Sequence, residues 1–402
     1  MTRIRGGITA PQGFAAAGVH CGIKKSPDLL DLALVVSDRP GPIAGVFTTN
    51  QVVAAPVTVD RLHLKRGVGR VLVVNSGCAN VCTGRAGMDA ALTMVRLGVE
   101  AFRVPAHQVY IGSTGVIGAP LPIGKIVDAF PALLKRVRRG GAHEAARAIM
   151  TTDTRAKEVA LTQRINGASI TIGGMAKGSG MIHPNMATML AYLTTDAFVS
   201  RPLLQRALSA AVDQTFNCIS VDGDTSTNDT VLCLANGVAG NRPLLAHTKA
   251  YRAFERLLSE ACEALALQVG RDGEGLTKFV EIRVRGARND RHAKQVANTV
   301  GTSCLVKTAL FGEDANWGRI MAAIGRAGVP VKAERIGLAI GGVPIVRRGA
   351  PQGAATERRI AAVFKRREFV IDIDLGIGSG VGRLWTTDLS YDYVRINASY
   401  RS

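Results

Sequence analysis

The most informative stretch of the 402-residue chain reads Gly173-Gly174-Met175-Ala176-Lys177-Gly178-Ser179-Gly180-Met181-Ile182-His183-Pro184-Asn185-Met186-Ala187-Thr188-Met189-Leu190-Ala191. Its glycines permit backbone conformations and close approaches that other residues rarely adopt. Lys177 is an isolated cation among them, and the apolar run that follows contains the hydroxyl of Thr188. From composition alone, the plainest interpretation of Thr188 is a buried threonine whose hydroxyl bonds to the backbone.

The segments on both sides of this stretch predict a mixture of strands and helices. Buried strands are predicted at 32–36 and 70–74, and strands with one solvated face at 279–285 and 369–375, where apolar and polar residues alternate. Helical periodicity predicts helices at 86–103, 121–138, 142–150, 201–214, 247–268, 292–311 and 317–327. The sequence therefore predicts an α/β (α+β) fold in which helices cover sheets without a strict βαβ alternation.

The chain carries an unusually large positive charge. Fifty Lys and Arg against 31 Asp and Glu give a formal net charge of +19, which makes nucleic acid or an anionic membrane the first partners to consider. The basic residues are dispersed in short bursts, aromatic residues make up only 5% of the chain, and no nucleic-acid-binding motif accompanies a burst. We therefore expect a solvated basic surface, with neither a nucleic-acid nor a membrane partner.

The cysteines and the start of the chain favour a cytoplasmic protein. The seven cysteines are scattered, which is typical of reduced thiols, and no apolar run is long enough to span a membrane. The first residues lack the apolar stretch of a secretory signal. Only Cys78 and Cys82 lie close together, without histidines at zinc-ligand spacing, so we expect no metal site.

Familiar catalytic and phosphate-binding motifs are absent or incomplete. The glycine-rich run 376–382 misses the dinucleotide-binding pattern at Val381, and strand-like residues follow it where that site needs a helix. Neither G-x-S-x-G nor H-E-x-x-H occurs, and His183 is interpreted as a loop histidine. A conventional serine triad or metal mechanism is therefore poorly supported.

The run from Lys177 to Leu190 closely resembles the self-cleavage signature of the ornithine acetyltransferase (glutamate N-acetyltransferase) family of arginine biosynthesis. Further blocks resemble this family in order along the whole chain. They are Phe47-Thr48-Thr49-Asn50, Asn75-Ser76-Gly77, Ser113-Thr114-Gly115-Val116-Ile117-Gly118, Met150-Thr151-Thr152-Asp153-Thr154, Ser220-Val221-Asp222-Gly223-Asp224-Thr225-Ser226-Thr227-Asn228-Asp229, Gly312-Glu313-Asp314-Ala315-Asn316-Trp317-Gly318-Arg319 and Tyr391-Asp392-Tyr393-Val394-Arg395-Ile396-Asn397-Ala398. So many ordered blocks make the resemblance specific.

The resemblance implies that the chain cleaves itself between Ala187 and Thr188. The products would be an α segment, 1–187, and a β segment, 188–402, whose smaller C-terminal subdomain would begin at about residue 281. Thr188 would then carry a free α-amine, which has an unperturbed pKa of about 7.7–8 and can accept the hydroxyl proton without a histidine. The implied architecture is an αββα-type layered sandwich with a smaller C-terminal α/β subdomain.

Other positions match the family's functional residues. Thr114 and Gly115 match the oxyanion hole, a hydroxyl and a backbone N–H that stabilise a tetrahedral intermediate. The positions that match substrate-binding residues are Thr151, Lys177, Thr188, Glu274, Asn397 and Ser402. Lys177 suits a substrate carboxylate, and Glu274 suits the cationic end of ornithine. Ser402 stands where the family usually ends in Thr, and it keeps the hydroxyl.

The activity implied by the resemblance is transfer of an acetyl group from N-acetylornithine to glutamate, in a ping-pong cycle through acetyl-Thr188. No metal or organic cofactor is implied, and acetyl-CoA would be a further donor only in a bifunctional enzyme. Two α and two β chains would form a heterotetramer. Two alternatives remain: a related N-terminal-nucleophile aminopeptidase or amidase, which would pass the acyl group to water, and a basic nucleic-acid-binding module.

Overall fold

The structure is a computed structural model that describes residues 1–183 and 189–399. Three of the predicted site residues, Ala187, Thr188 and Ser402, therefore lie outside the described residues.

The described residues form sixteen strands and eleven α-helices. The strands are β1 (Thr2–Arg3), β2 (Phe14–Val19), β3 (Leu32–Phe47), β4 (Val68–Cys78), β5 (Val109–Val116), β6 (Lys157–Ile165), β7 (Ala168–Lys177), β8 (Leu190–Thr195), β9 (Ile219–Ser220), β10 (Thr230–Ala235), β11 (Phe279–Ala287), β12 (Gly337–Ile340), β13 (Val343–Arg347), β14 (Ala350–Pro351), β15 (Glu368–Asp374) and β16 (Gly380–Thr387). The helices are α1 (Ala55–Leu64), α2 (Gly84–Phe102), α3 (Ile123–Lys135), α4 (Ala142–Ala148), α5 (Arg201–Gln214), α6 (Lys249–Gly270), α7 (Asp290–Gly301), α8 (Cys304–Phe311), α9 (Trp317–Gly325), α10 (Ala354–Phe364) and α11 (Tyr391–Ser399).

The larger sheet is built around the long strand β3. Its nine strands run in the order β1-β6-β7-β8-β10-β3-β4-β5, with β2 also paired to β3. The first part of β3, 32–37, lies between β2 and β4, whereas its last part, 43–47, pairs with β10. At the change of partner, a Cβ on Gly41 would lie 1.9 Å from the carbonyl oxygen of Ala235, so only glycine allows this close crossing. The strand β3 thus belongs to two half-sheets. One contains β2, β4 and β5, and the other contains β1, β6, β7, β8 and β10.

Three hydrophobic clusters place these half-sheets inside a four-layer sandwich. Alternate side chains of a strand point to opposite faces. Leu34 of β3 accordingly packs among residues of α2 and α3, whereas its neighbour Val35 packs with Tyr110 and Tyr192 between the half-sheets. Helices α5 and α6 cover the outer face of β6, β7, β8 and β10. The expected αββα arrangement is confirmed.

A second sheet of seven strands forms the C-terminal part, in the order β14-β13-β12-β15-β11-β16-β9. Helices α7 to α10 pack on it around a separate hydrophobic cluster. The short strand β9 pairs in parallel with β16, with Ile219 opposite Trp385, and so connects this sheet to the sandwich. The expected smaller C-terminal α/β part is therefore confirmed.

The predicted helices are largely present, but the single helix predicted at 292–311 is wrong. The chain forms two helices there, α7 and α8, which are separated at Thr302 and Ser303. The Ser303 hydroxyl accepts the backbone N–H of Val306 at 3.4 Å, and this serine cap begins a new helix. The helices α1, α10 and α11 were not predicted from periodicity.

The described residues contain no candidate membrane span, no disulfide and no candidate metal cluster. None of their helices has the length and apolar character needed to cross a membrane. All seven cysteines are free thiols, and no group of three or more His, Cys, Asp or Glu in the described ranges could hold a metal ion.

Candidate active site

One cavity of about 190 Å³ collects the predicted site residues. All six of those that the structure describes line it, namely Thr114, Gly115, Thr151, Lys177, Glu274 and Asn397. They come from β5, the loop after α4, the end of β7, the turn between α6 and β11, and α11. The fold thus brings together residues that are distributed from position 114 to position 397.

The two predicted oxyanion donors lie near the end of β5, beside β4. The strands run in parallel, with Thr114 opposite Ser76 and Gly115 opposite Gly77. Gly115 has φ +130°, and a Cβ there would lie 2.4 Å from the carbonyl carbon of Gly77. Only glycine fits this position. The Thr114 side chain is buried, with 5% of its surface exposed, so a donor here would act with little water present.

A network of side-chain amides holds this strand end in place. The Nδ2 of Asn228 donates to the carbonyl oxygens of Ala79 at 2.7 Å and Ser113 at 2.8 Å. The Ser113 hydroxyl donates to Oδ1 of Asn75 at 2.6 Å, and Nδ2 of Asn75 donates to the carbonyl oxygen of Cys78 at 2.9 Å. Every member lies in or beside a block that resembles the family, yet we did not predict any of them as a site residue.

Lys177 supplies a buried cation, with 3% of its surface exposed. Burial lowers the pKa of this ammonium and the charge of Lys157 lowers it further, while the carboxylates of Asp153, Glu274 and Asp229 oppose the shift. Among the described residues, no carboxylate oxygen lies within ion-pairing distance of its Nζ. The ammonium is therefore available for an anionic group that enters the cavity.

Asp153 is a buried aspartate whose carboxyl is affected by the charge of Lys177. Burial alone would raise the pKa of its carboxyl, but Lys177, Lys157 and the N–H of Gly178 bring that pKa down to about 2. The carboxylate accepts the Lys157 ammonium at 2.5 Å, the Gly178 N–H at 2.7 Å and the Thr151 N–H at 2.9 Å. Asp153 thus fixes both Thr151 and the backbone that follows Lys177.

A second carboxylate, that of Asp272, joins this network to the turn between α6 and β11. Lys157 also pairs with Asp272 at 2.6 Å, and Asp272 accepts the backbone N–H of Thr154 at 3.0 Å as well as the Thr154 hydroxyl. Lys157 is fully buried, so removing it would leave the buried carboxylates of Asp153 and Asp272 without the counter-charge that they share. The pair fixes the turn that carries Glu274 against the loop that carries Thr151.

The carboxylate of Glu274 is held by the glycine-rich stretch and by α11. The backbone N–H of Glu274 donates to the carbonyl oxygen of Ser179 at 2.9 Å. The Oε2 atom of Glu274 accepts a hydrogen bond from Nδ2 of Asn397 at 2.9 Å. A Cβ on Gly180 would lie 2.3 Å from Oε2, so the glycine lets the backbone pass close to the carboxylate.

Two aspartates of the block 220–229 hold the chain on each side of residues 184–188. The Asp222 carboxylate accepts the N–H groups of Met181 at 2.5 Å and Ile182 at 2.8 Å, and burial raises its pKa to about 6. Asp229 accepts the N–H of Met189 at 2.9 Å, and burial raises its pKa well above the usual range. His183, predicted as a loop residue, lies outside the helices and strands, with Nδ1 3.1 Å from the Ser220 hydroxyl.

The basic residues of the described chain lie almost entirely outside this cavity. A groove of about 1580 Å³ on the C-terminal sheet is lined by several arginines, among them Arg283, Arg285 and Arg347, and none of the predicted site residues lines it. Lys177 is the one basic residue among the described residues that line the smaller cavity.

Comparisons with known proteins agree with the resemblance. A model of the ArgJ family matches residues 15–402. The arginine biosynthesis bifunctional protein ArgJ of Halalkalibacterium halodurans is 46% identical over 398 residues, which cover 99% of this chain and 96% of the relative.

Two solved structures are also similar. A crystal structure of the arginine biosynthesis bifunctional protein ArgJ from Bacillus halodurans is 48% identical, with a TM-score of 0.51, and covers 53% of this chain and 100% of its own. An ornithine acetyltransferase complexed with ornithine, from Mycobacterium tuberculosis, is 42% identical, with a TM-score of 0.43, and covers 46% of this chain and 97% of its own. Because the family match and the curated relative each span nearly the whole sequence, the chain belongs to the ArgJ family.

Proposed function

We propose that this ArgJ-family enzyme transfers the acetyl group of N-acetylornithine to glutamate through an ester on Thr188. The observation that carries the proposal is the convergence of Thr114, Gly115, Lys177 and Glu274 on one cavity. These groups offer oxyanion donors, a cation for a carboxylate and an anion for an ammonium. N-acetylornithine presents the matching carbonyl, carboxylate and ammonium groups.

The nucleophile is released by hydrolysis of the peptide bond between Ala187 and Thr188, which leaves segments 1–187 and 188–402. The relative from Bacillus halodurans supports this division. Its solved chain is matched over its whole length, yet the match covers only 53% of this chain. Segment 188–402 has 215 of the 402 residues, which is the same fraction of this chain.

The first half-reaction moves the acetyl group onto the enzyme. The Thr188 hydroxyl oxygen attacks the acetyl carbonyl carbon, and its proton passes to the free α-amine of the same residue. The negative charge that develops on the carbonyl oxygen is stabilised by the Thr114 hydroxyl and the Gly115 N–H. The amide C–N bond then breaks, and the α-amine returns the proton to the departing nitrogen of ornithine.

The second half-reaction runs in the reverse sense with another amine. The α-amine of glutamate attacks the ester carbonyl, the bond from that carbon to the Thr188 oxygen breaks, and the proton of the attacking nitrogen returns to Thr188. Both substrates are α-amino acids, so one cation at Lys177 serves the carboxylate of each.

Two α and two β segments form a heterotetramer in the cytoplasm, and Thr151, Asn397 and Ser402 complete the substrate site. Acetyl-CoA also acetylates Thr188 and so gives the enzyme a second activity; the name of the Halalkalibacterium halodurans relative calls that protein bifunctional.

Intact-mass analysis and N-terminal sequencing test the cleavage. We expect two fragments, one ending at Ala187 and one beginning Thr188-Met189-Leu190, and a Thr188→Ala variant that stays a single inactive chain. A Thr188→Ala variant that is still cleaved or active would show that the nucleophile is wrong.

A kinetic comparison separates transfer from hydrolysis. With N-acetylornithine and glutamate present, formation of N-acetylglutamate should far exceed release of free acetate. Dominant acetate release would instead identify the amidase alternative. Replacing N-acetylornithine with acetyl-CoA as the donor tests the second activity separately.

A further inference from the structure

We propose that Asn228 and Asp229, the two residues immediately before β10, are positioning residues that set the oxyanion donors and the nucleophile in register. Asn228 bonds to the strand end that carries Thr114, and Asp229 bonds to the residue after Thr188. The inference rests on the proposed function and deepens it, because it names the residues that join the two halves of the catalytic arrangement.

Asn228 acts on the oxyanion side. Its amide nitrogen donates to the carbonyl oxygen of Ser113, the residue before Thr114, and to that of Ala79, whose own N–H donates to Val116. Its Oδ1 accepts the hydroxyl of Thr227 at 2.6 Å. With 5% of its surface exposed, Asn228 makes these bonds without competition from bulk water. They fix the backbone on both sides of the Thr114–Gly115 pair.

Asp229 acts on the nucleophile side. Its Oδ1 accepts the N–H of Met189 at 2.9 Å, and the carbonyl oxygen of Met189 accepts the N–H of Thr230 at 3.1 Å. Met189 is therefore held at both of its backbone polar groups. The nitrogen that Asp229 holds is the atom through which the peptide bond joins Met189 to the proposed nucleophile in the sequence.

The two residues are consecutive, so a single peptide unit separates the two sets of bonds. Two consecutive Cα atoms are about 3.8 Å apart, and this short rigid link fixes the oxyanion strand relative to the chain at 189. Misplacement of reacting groups by about 1 Å can cost a factor of roughly 10² in rate. The link also spans the proposed cleavage site, since residues 79 and 113 belong to segment 1–187 and residue 189 to segment 188–402.

Asn228→Ala tests the oxyanion side, with Asn241→Ala as its matched control. Asn241 is also 5% exposed and also makes three side-chain hydrogen bonds. Its Nδ2 donates to the carbonyl oxygens of Phe198 and Arg242, and its Oδ1 accepts the N–H of Phe198. We expect similar losses of thermal stability in both variants. Only Asn228→Ala should lose kcat, by about 10²-fold per mole of cleaved protein, with KM for both substrates little changed.

Asp229→Asn and Asp229→Ala test the nucleophile side. Asparagine keeps an oxygen that can accept the Met189 N–H, whereas alanine does not, so we expect Asn to retain most of kcat and Ala to lose about 10²-fold. Asp196→Ala is the control, because its buried carboxylate also accepts backbone N–H groups, those of Thr171 at 2.8 Å and Gln12 at 3.2 Å.

These outcomes are distinct from the test of the proposed function. Equal kcat in Asn228→Ala and Asn241→Ala, or a loss in KM alone, would overturn the positioning role of Asn228. Equal kcat losses in Asp229→Asn and Asp229→Ala would overturn that of Asp229. An active Thr188→Ala protein would overturn the proposed function itself.

Discussion

The side-chain amide of Asn397 donates from Nδ2 to Oε2 of Glu274 at 2.9 Å, and so joins the last described helix to the turn after α6. Glu274 faces the cavity that also contains Lys177. A substrate with a carboxylate and an ammonium can therefore contact opposite charges in one cavity.

Glu274→Gln should weaken binding of N-acetylornithine but not of glutamate. Glutamine keeps an oxygen for Asn397 and removes the charge that would pair with the side-chain ammonium of ornithine. Hydrogen bonds between charged groups contribute about 1.5–3 kcal/mol, so KM for N-acetylornithine should rise by at least about tenfold, as initial-rate kinetics would reveal.

The other substrate provides the internal control for Glu274→Gln. Glutamate carries a second carboxylate, so its KM should stay the same or fall when Glu274 loses its charge. Glu368→Gln, which removes a surface ion pair with Arg271, should change neither KM. A parallel rise of both KM values in Glu274→Gln would contradict the assignment.

Thr114→Val should lower kcat about 10²- to 10³-fold with little change in KM. Valine has nearly the same shape but lacks the hydroxyl that would donate to the oxyanion in the transition state, and the loss of such a donor costs about 3–4 kcal/mol. Steady-state kinetics with both substrates would measure the split between kcat and KM.

Thr114→Ser is the conservative counterpart, since it keeps the hydroxyl and loses only a methyl group. It should retain much of the wild-type kcat. A Thr114→Val enzyme with normal kcat, or a serine variant as slow as the valine variant, would argue against a hydroxyl donor at this position.

Lys177→Met should raise KM for both substrates, because N-acetylornithine and glutamate each have an α-carboxylate. The removed charge-assisted bond is worth about 1.5–3 kcal/mol, which corresponds to roughly 10- to 100-fold in binding. Lys278→Met is the matched control, a buried lysine that pairs with Glu313 at 2.6 Å and lies outside this cavity. A change for one substrate only would mean that the two carboxylates bind at different places.

The layered fold could largely be predicted from the sequence because its elements have regular patterns. Helix α5 was predicted at 201–214 and has those bounds, since its apolar positions repeat with the helical period and Pro202 lies in its first turn. Helix α11 could not be found in this way. No described residue of that helix is buried, so periodicity gives no signal there, although it carries Asn397.

The grouping of the site residues could not be predicted from local patterns. Thr114 and Asn397 are far apart in the sequence, and only the resemblance to a family indicated that they act together. The contacts of Asn228 and Asp229 could not be predicted either, although both residues lie in a block that resembles the family, because a side chain that bonds to a distant carbonyl or N–H leaves no signature in sequence spacing.

The Asp153 carboxylate should make the protein sensitive to acid in a defined pH range. Its pKa is about 2 in the folded state, against about 3.9 for an unperturbed aspartate, so the unfolded chain binds more protons between these values. Stability is therefore fully present above about pH 4 and is lost as the pH falls towards 2, by about 2 kcal/mol for this one group.

Urea unfolding of Thr188→Ala protein, which should unfold as a single chain, can measure this loss. The free energy of unfolding is measured for the Thr188→Ala protein and for a second protein that carries both Thr188→Ala and Asp153→Asn. The difference between the two values should shrink by about 2 kcal/mol from pH 5 to pH 2. A difference that stays constant over this range would mean that Asp153 is not held as an anion by Lys177 and Lys157.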